Sequence, residues 1–331
     1  MAVTPALAAF AVSLVVLRIL LSRFGRFALD RPNERSLHRQ PVPRTGGIAV
    51  AAGSAVALAF GAEPLWLPVA LAALLAAVSL ADDLHRLPTR VRLAVHLAAA
   101  GVLVWYVLSP MHPAALVVLA LAVAWTANLY NFMDGSDGLA GGMTVIGFGA
   151  YAIAAHAAGA SALAILASAI AAAAAAFLTA NFHPARIFLG DVGSIPLGFL
   201  AGALGLVGWR DDAWPLWFPM LVFAPFMCDA TLTLLKRVLR GEKASHAHRE
   251  HYYQRLVQMG FGHRRTAYIE YAAMLGCALT ALAARGQRPA VAIGAVAAAA
   301  AAMTAVAVWV DLRWTRHRQA PGAHLPPRAP G

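Results

Sequence analysis

The sequence is expected to fold as an all-α, polytopic integral membrane protein of about eleven transmembrane helices, N-terminus outside and C-terminus cytoplasmic. Three observations lead there. Of 331 residues, 60% are hydrophobic and 12% charged, where a soluble domain carries roughly 25% charged residues. The apolar residues gather into runs close to the ~20 that cross a bilayer as a helix. The 26 Lys and Arg residues sit in a few of the loops between those runs.

The runs cover residues 5–21, 46–62, 65–81, 93–108, 113–127, 139–158, 160–180, 195–209, 214–235, 266–284 and 289–310. The first is followed, not preceded, by basic residues (Arg23, Arg26), the pattern of a signal anchor rather than a cleaved leader. The fifth and eighth are short, so they are tilted, extended at their ends or partly re-entrant. Alanine runs at 171–176 and 297–302 suit close packing in lipid, although composition bias accounts for them equally simply. Residues 1–312 are expected to form one membrane domain, and residues 313–331, basic and proline-rich, a disordered cytoplasmic tail.

Orientation follows from charge. With the N-terminus outside, the inside loops 23–45, 82–92, 181–194 and 236–265 hold six, three, one and eight Lys or Arg. The tail after 312 holds four, against only Arg210, Arg285 and Arg288 outside. Positive loops remain in the cytoplasm, so the net charge of +11 reads as topology, not as nucleic-acid binding. Cys228 and Cys277 lie inside apolar runs and suggest neither a disulfide framework nor a zinc site.

The same topology brings every polar cluster to the cytoplasmic side. The central one, residues 128–142, reads NLYNFMDGSDGLAGG. Asn128, Asn131, Asp134 and Asp137 recur every third residue, which a helix places on one face. Carboxylates at a membrane helix end are costly and mark function; a capped polar loop is the plain alternative. The loop 30–47, DRPNERSLHRQPVPRTGG, offers Arg31, Arg35, His38, Arg39 and Arg44 before Gly46 and Gly47. Arginine forks bind phosphate, although such a loop also anchors against acidic headgroups. Asp82 and Asp83 end the third run, with Arg92 and His96 beyond. Adjacent carboxylates repel, so one should hold a proton or the pair share a cation. Asp191 stands between glycines in FLGDVGS, just before an apolar helix, as a magnesium ligand or an N-cap. The loop KASHAHREHYYQRL carries His246, His248 and His251, better suited to phosphate or sugar hydroxyls than to zinc. Asp229 and Asp311 are further candidates, Asp311 being explained by an ion pair with Arg313.

In this order, ADD at 81–83, NxxNxxDGxDGLAGG at 128–142 and GDxGS at 190–194 resemble the polyprenyl-phosphate N-acetylhexosamine-1-phosphate transferases, the MraY/WecA-type superfamily or glycosyltransferase family 4. The opening PNERSLHRQPVPRTGG is similar to the branch that starts O-antigen and related surface glycans. The resemblance implies transfer of a sugar phosphate from a UDP-N-acetylhexosamine to undecaprenyl or another polyprenyl phosphate. UMP leaves, in the bacterial inner membrane, with the active site facing the cytoplasm. It implies Mg²⁺, with Mn²⁺ as a substitute, held chiefly by Asp191 with Asp134. Asp82 and Asp83 would lie by the lipid phosphate, Asp82 as a candidate base. Asn128, Asn131, Asp134 and Asp137 would orient nucleotide and metal, and Arg44, Arg92, His246, His248 and His251 would bind substrate. A homodimer is compatible with it. Here HAHREH replaces adjacent histidines, His96 stands where glutamine is common, and Thr45 interrupts a glycine triplet.

Two other readings compete. A phospho-MurNAc-pentapeptide transferase keeps the chemistry and changes the donor. A transporter of a phosphorylated substrate would also hold acids in broken helices, but should show internal repeats and midplane charges. No repeat is present, and the acids cluster on one side.

Overall fold

A computed structural model describes residues 3–25, 27–30, 32, 37, 40–85, 87–242 and 248–319. It is a helical bundle. Helix α1 (Val3–Arg23) leads to a short antiparallel ribbon, β1 (Leu29–Asp30) with β2 (Val42–Pro43), and then to α2 (Gly46–Ala55), which tightens into a 3-10 helix over Val56–Phe60. Helices α3 (Trp66–His85), α4 (Thr89–Leu108), α5 (Pro113–Phe132), α6 (Leu139–Ala157), α7 (Ser161–Asn181) and α8 (Asp191–Arg210) follow. The C-terminal part holds α9 (Trp217–Val222), α10 (Ala224–Leu239), α11 (Tyr252–Leu256), α12 (Gly262–Ala284) and α13 (Pro289–Gln319).

All eleven expected runs are helical, but among the described residues nine helices are long and apolar enough to span unaided. The other two runs are divided: 46–62 changes helix type at Val56, and 214–235 breaks at Phe223 between α9 and α10. The fifth and eighth runs are full-length helices of 20 residues each. An apolar ruler stops at Ala127 and starts at Ile195, while the helices continue through Asn128–Phe132 and begin at Asp191. The polar ends of two spanning helices are thus where the site lies. The ribbon was not expected; its two strands are two residues each. Helix α13 continues through Arg313, Arg316 and Arg318, whose charges suit a helix C-terminus. It therefore takes the first residues assigned to the tail. Residues 320–331 lie outside the described residues, as do Arg31, Arg35, His38, Arg39 and His246.

The core is built on α7 and α8. Helix α8 packs on α2, α3, α4 and α5, and α7 on α1, α2 and α6. Small residues make this possible. A Cβ on Gly198 would come within 2.4 Å of the Thr126 carbonyl oxygen, so only glycine lets α5 and α8 lie this close. The alanine run in α7 has the same use: Ala173, Ala174 and Ala176 are buried, and Ser13 of α1 donates to the Ala173 carbonyl at 2.9 Å. The run in α13 is mostly exposed, so composition bias suffices there.

Candidate active site

Up-and-down packing brings one end of each of α2, α3, α4, α5 and α8 together. From α3 come Asp82 and Asp83, from α4 Arg92, from the segment before α2 Arg44, from the end of α5 Asn131 and Asp134, and from the start of α8 Asp191. Arg92 Nη1 donates to Asp82 Oδ2 at 2.7 Å and lies 3.9 Å from Asp191 Oδ2. Arg44 Nη2 is 3.0 Å from Asp83 Oδ1. The Gly190 N–H donates to Asp134 Oδ2 at 3.2 Å, and the Ser194 hydroxyl to Asn131 Oδ1 at 2.7 Å. Residues 56 and 63 apart in sequence are thereby joined at the α5–α8 contact.

The glycine pair that opens α2 is used for packing. Gly46 and Gly47 donate to the carbonyls of Phe188 and Leu189, both at 2.9 Å. A Cβ on Gly47 would lie 2.3 Å from Gly193 Cα. The pair is buried against the start of α8, and that contact sets Arg44 beside Asp83.

Asp83, Asp134 and Asp82 all interact electrostatically with Asp191. Burial, then the Asp191 charge, pushes the Asp134 carboxyl well above the usual carboxylate range, against the Gly190 hydrogen bond. Such crowding calls for cations. Arg44 and Arg92 supply two, and their side chains are 35% and 31% exposed, so donors remain for a phosphate. No three His, Cys, Asp or Glu side chains surround one point among the described residues. Magnesium, however, is commonly held by one or two carboxylates together with substrate phosphates, and Asp191 and Asp134 fit that demand.

The other expected residues are placed nearby in different roles. Asn128, one turn before Asn131, donates to the Ala124 carbonyl at 2.7 Å. Asp137 turns away from Asp191. Its Oδ2 accepts from the Ala185 N–H at 3.1 Å and meets His183 Nδ1 at 2.6 Å, while His263 Nδ1 is 3.8 Å from Oδ1. His183 and His263, whose rings stack at 5.5 Å, were missed in sequence. His183 lies in NFHPA, eight residues before Asp191, a proximity that offered a weak signal.

Asp229 is the anchor of the histidine loop. It accepts from the backbone N–H groups of Tyr252 (2.9 Å) and Tyr253 (3.1 Å), and from Thr233 (3.1 Å). His251 Nδ1 lies at 3.1 Å, and the ring stacks on Phe132 at 6.2 Å. His251 is buried; His248 lies 4.9 Å from it, ring to ring. Tyr253 donates to the Phe132 carbonyl at 3.1 Å, seating the start of α11 on the end of α5. Asp311 pairs with Lys236 and Arg255 rather than with Arg313, which lies over Trp309.

The chain is similar in sequence to known proteins over the stretch that carries this cluster. The family model described as "Glycosyl transferase family 4" matches residues 65–209, the span from α3 through α8 that supplies the aspartates. The chain is 29% identical over 287 residues to a Bacillus subtilis protein named "Probable undecaprenyl-phosphate N-acetylglucosaminyl 1-phosphate transferase", covering 80% of each chain. It is 32% identical over 302 residues to the "Decaprenyl-phosphate N-acetylglucosaminephosphotransferase" of Mycolicibacterium smegmatis, covering 77% of this chain and 74% of that one. A "Phospho-N-acetylmuramoyl-pentapeptide-transferase" of Symbiobacterium thermophilum is 46% identical over 92 residues, covering 27% and 28%.

Proposed function

The chain belongs to glycosyl transferase family 4, within the MraY/WecA-type superfamily, and on that premise we propose that it transfers an N-acetylhexosamine-1-phosphate from a UDP-sugar to a polyprenyl phosphate, releasing UMP. The observation that carries this reading is the joining of Asp82, Asp191 and Arg92 in one cluster, with Asp134 on the Gly190 N–H. Four carboxylates and two guanidinium groups at one end of a spanning bundle suit two phosphate-bearing substrates meeting at a membrane surface. The names of the relatives favour N-acetylglucosamine as the sugar. The pentapeptide donor is the lesser reading, since that likeness covers little more than a quarter of the chain. We place the reaction on the cytoplasmic face of a bacterial inner membrane, at the start of O-antigen or a related surface glycan.

Phosphoryl transfer needs alignment and charge neutralisation more than covalent machinery. Arg44 and Arg92 would bind phosphate oxygens with their remaining donors, and the carboxylates on which they rest fix the two guanidinium planes. Asp191 and Asp134 would hold Mg²⁺, which when bound neutralises diphosphate charge. The lipid phosphate is already largely ionised near neutral pH, so direct attack on the donor needs little help from a base. Asp82 then serves chiefly to hold Arg92. His248, beside the anchored His251, would meet the sugar or its phosphate.

The test is UMP release by purified protein given Mg²⁺, undecaprenyl phosphate and a panel of UDP-N-acetylhexosamines. Lipid-dependent release from one donor, abolished by EDTA and restored by Mg²⁺ or Mn²⁺, is expected. Folded protein that neither releases nor binds UMP would return the transporter reading to the front.

A further inference from the structure

Away from the aspartates, a cavity of 570 Å³ opens among Lys236, Arg240, Glu250, Arg255, Asp311 and Arg318, with Trp314 on its wall. It lies between the end of α10, the short α11 and the last turns of α13. Tyr253 of α11 reaches the Phe132 carbonyl, so the cavity is at the same end of the bundle as the aspartates. That end of α13 is also where its apolar run gives way to Asp311, Arg313, Arg316 and Arg318. A helix of 31 residues is about 46 Å long, against a hydrocarbon core of about 30 Å. The cavity therefore sits at headgroup level, flanked by Trp309 and Trp314 as an interfacial belt would be.

Its four cations face two carboxylates, an excess of two positive charges. Both carboxylates are already engaged: Asp311 by Lys236, by Arg255 at 2.8 Å and by the Tyr252 hydroxyl at 3.3 Å, Glu250 by Arg240 and, at 3.9 Å, by Arg255. Arg318 has no carboxylate partner among the described residues. The Arg255 side chain is only 5% exposed, yet its Nε is buried with no acceptor. The Arg255 guanidinium lies over the Tyr252 ring at 5.1 Å and the Trp314 ring at 5.9 Å, and the excess positive charge of the cavity around it suits an anionic oxygen. A narrow crevice of about 40 Å³ lies between α10, α12 and α13, lined by Leu232, Leu256, Ile269, Val306 and Val310 and also by Asp229 and Glu270, too small and too polar to hold an acyl chain. The outer side of α13 is open to lipid, with only 6% of its apolar window buried.

We infer that this cavity binds the phosphodiester headgroup of an anionic phospholipid whose acyl chains lie against the lipid-facing side of α13. It is separate from the site proposed for the acceptor lipid, and its test needs no turnover. Full-length protein in non-ionic detergent is offered phosphatidylglycerol, phosphatidylcholine or inorganic phosphate, and retained molecules are counted by native mass spectrometry. Phosphatidylglycerol is retained over phosphatidylcholine. Arg240→Gln with Arg318→Gln lowers that retention several-fold, whereas Arg264→Gln, on exposed α12, leaves it alone. Glu250→Gln removes a competing negative charge and raises retention, a gain that misfolding cannot imitate. Equal retention of both lipids, or retention unmoved by the cavity substitutions, overturns the inference. Inorganic phosphate that displaces phosphatidylglycerol at equal concentration makes this a free-phosphate pocket, and overturns it as well.

Discussion

At the residue scale the decisive side chain is Arg92, because one nitrogen serves Asp82 at 2.7 Å and reaches Asp191 at 3.9 Å. A lysine there keeps the charge and loses the planar fork. Arg92→Lys is expected to lower kcat by about 10²-fold, the scale of losing one positioned electrostatic group, with an unchanged melting temperature. Asp191→Asn keeps the shape and removes the charge, so transfer is expected to vanish while the protein elutes as a single folded species in detergent; turnover like the wild type would remove Asp191 from the metal site. His248→Ala should raise the KM for the nucleotide sugar and leave kcat nearly as it was. An unmoved KM places His248 outside the donor site.

At the element scale, two backbone contacts hold the site. The first is the start of α2 against the start of α8. Gly47→Ala would press a methyl group into Gly193 Cα at 2.3 Å, and overpacking of this kind costs about 1–3 kcal/mol. Gly149→Ala, in α6 with nothing within 4 Å of the added carbon, should stabilise instead, by up to about 1 kcal/mol. Thermal unfolding of the two variants in detergent should therefore shift in opposite directions. The second contact is Asp229 with the first turn of α11. Asp229→Asn weakens bonds from two backbone N–H groups to a charged acceptor, each on the scale of about 1.5–3 kcal/mol. It should loosen the histidine loop, raising the donor KM along with the loop's hydrogen exchange. These contacts explain what the sequence made legible. Asp82, Asp83, Asn131, Asp134 and Asp191 stood out because charge at the end of an apolar run has few structural uses. Asp229 stood out less, and its role could not be read, because its partners are backbone groups 23 and 24 residues away. Asp137 was read by spacing as sharing a helix face with Asn131 and Asp134. The chain leaves the helix after Phe132, so the three-residue period does not carry to it, and it faces His183 instead.

At the scale of the whole molecule, counting apolar runs found every long helix, but neither the short α11 nor how each is used. Length cannot reveal that the run beginning at Gly46 changes to a 3-10 helix, or that α9 and α10 are separate pieces, because backbone breaks inside a bundle are compensated by neighbours rather than by composition. Direction across the membrane is a different matter, since charge asymmetry alone argues for it. Helix α12 gives the sharpest test. Arg264 in its first turn and Gln287, three residues beyond its last, are both exposed, and the Arg264 end lies beside His263, which reaches toward Asp137. In a background carrying Cys228→Ala and Cys277→Ala, Gln287→Cys is expected to react with a membrane-impermeant maleimide in intact cells. Arg264→Cys should react only in inverted vesicles. That outcome puts the aspartate cluster on the same side as cytoplasmic nucleotide sugars. The reverse pattern would place the cluster outside, where no such donor is made, and the charge argument and the proposed donor would have to be abandoned together.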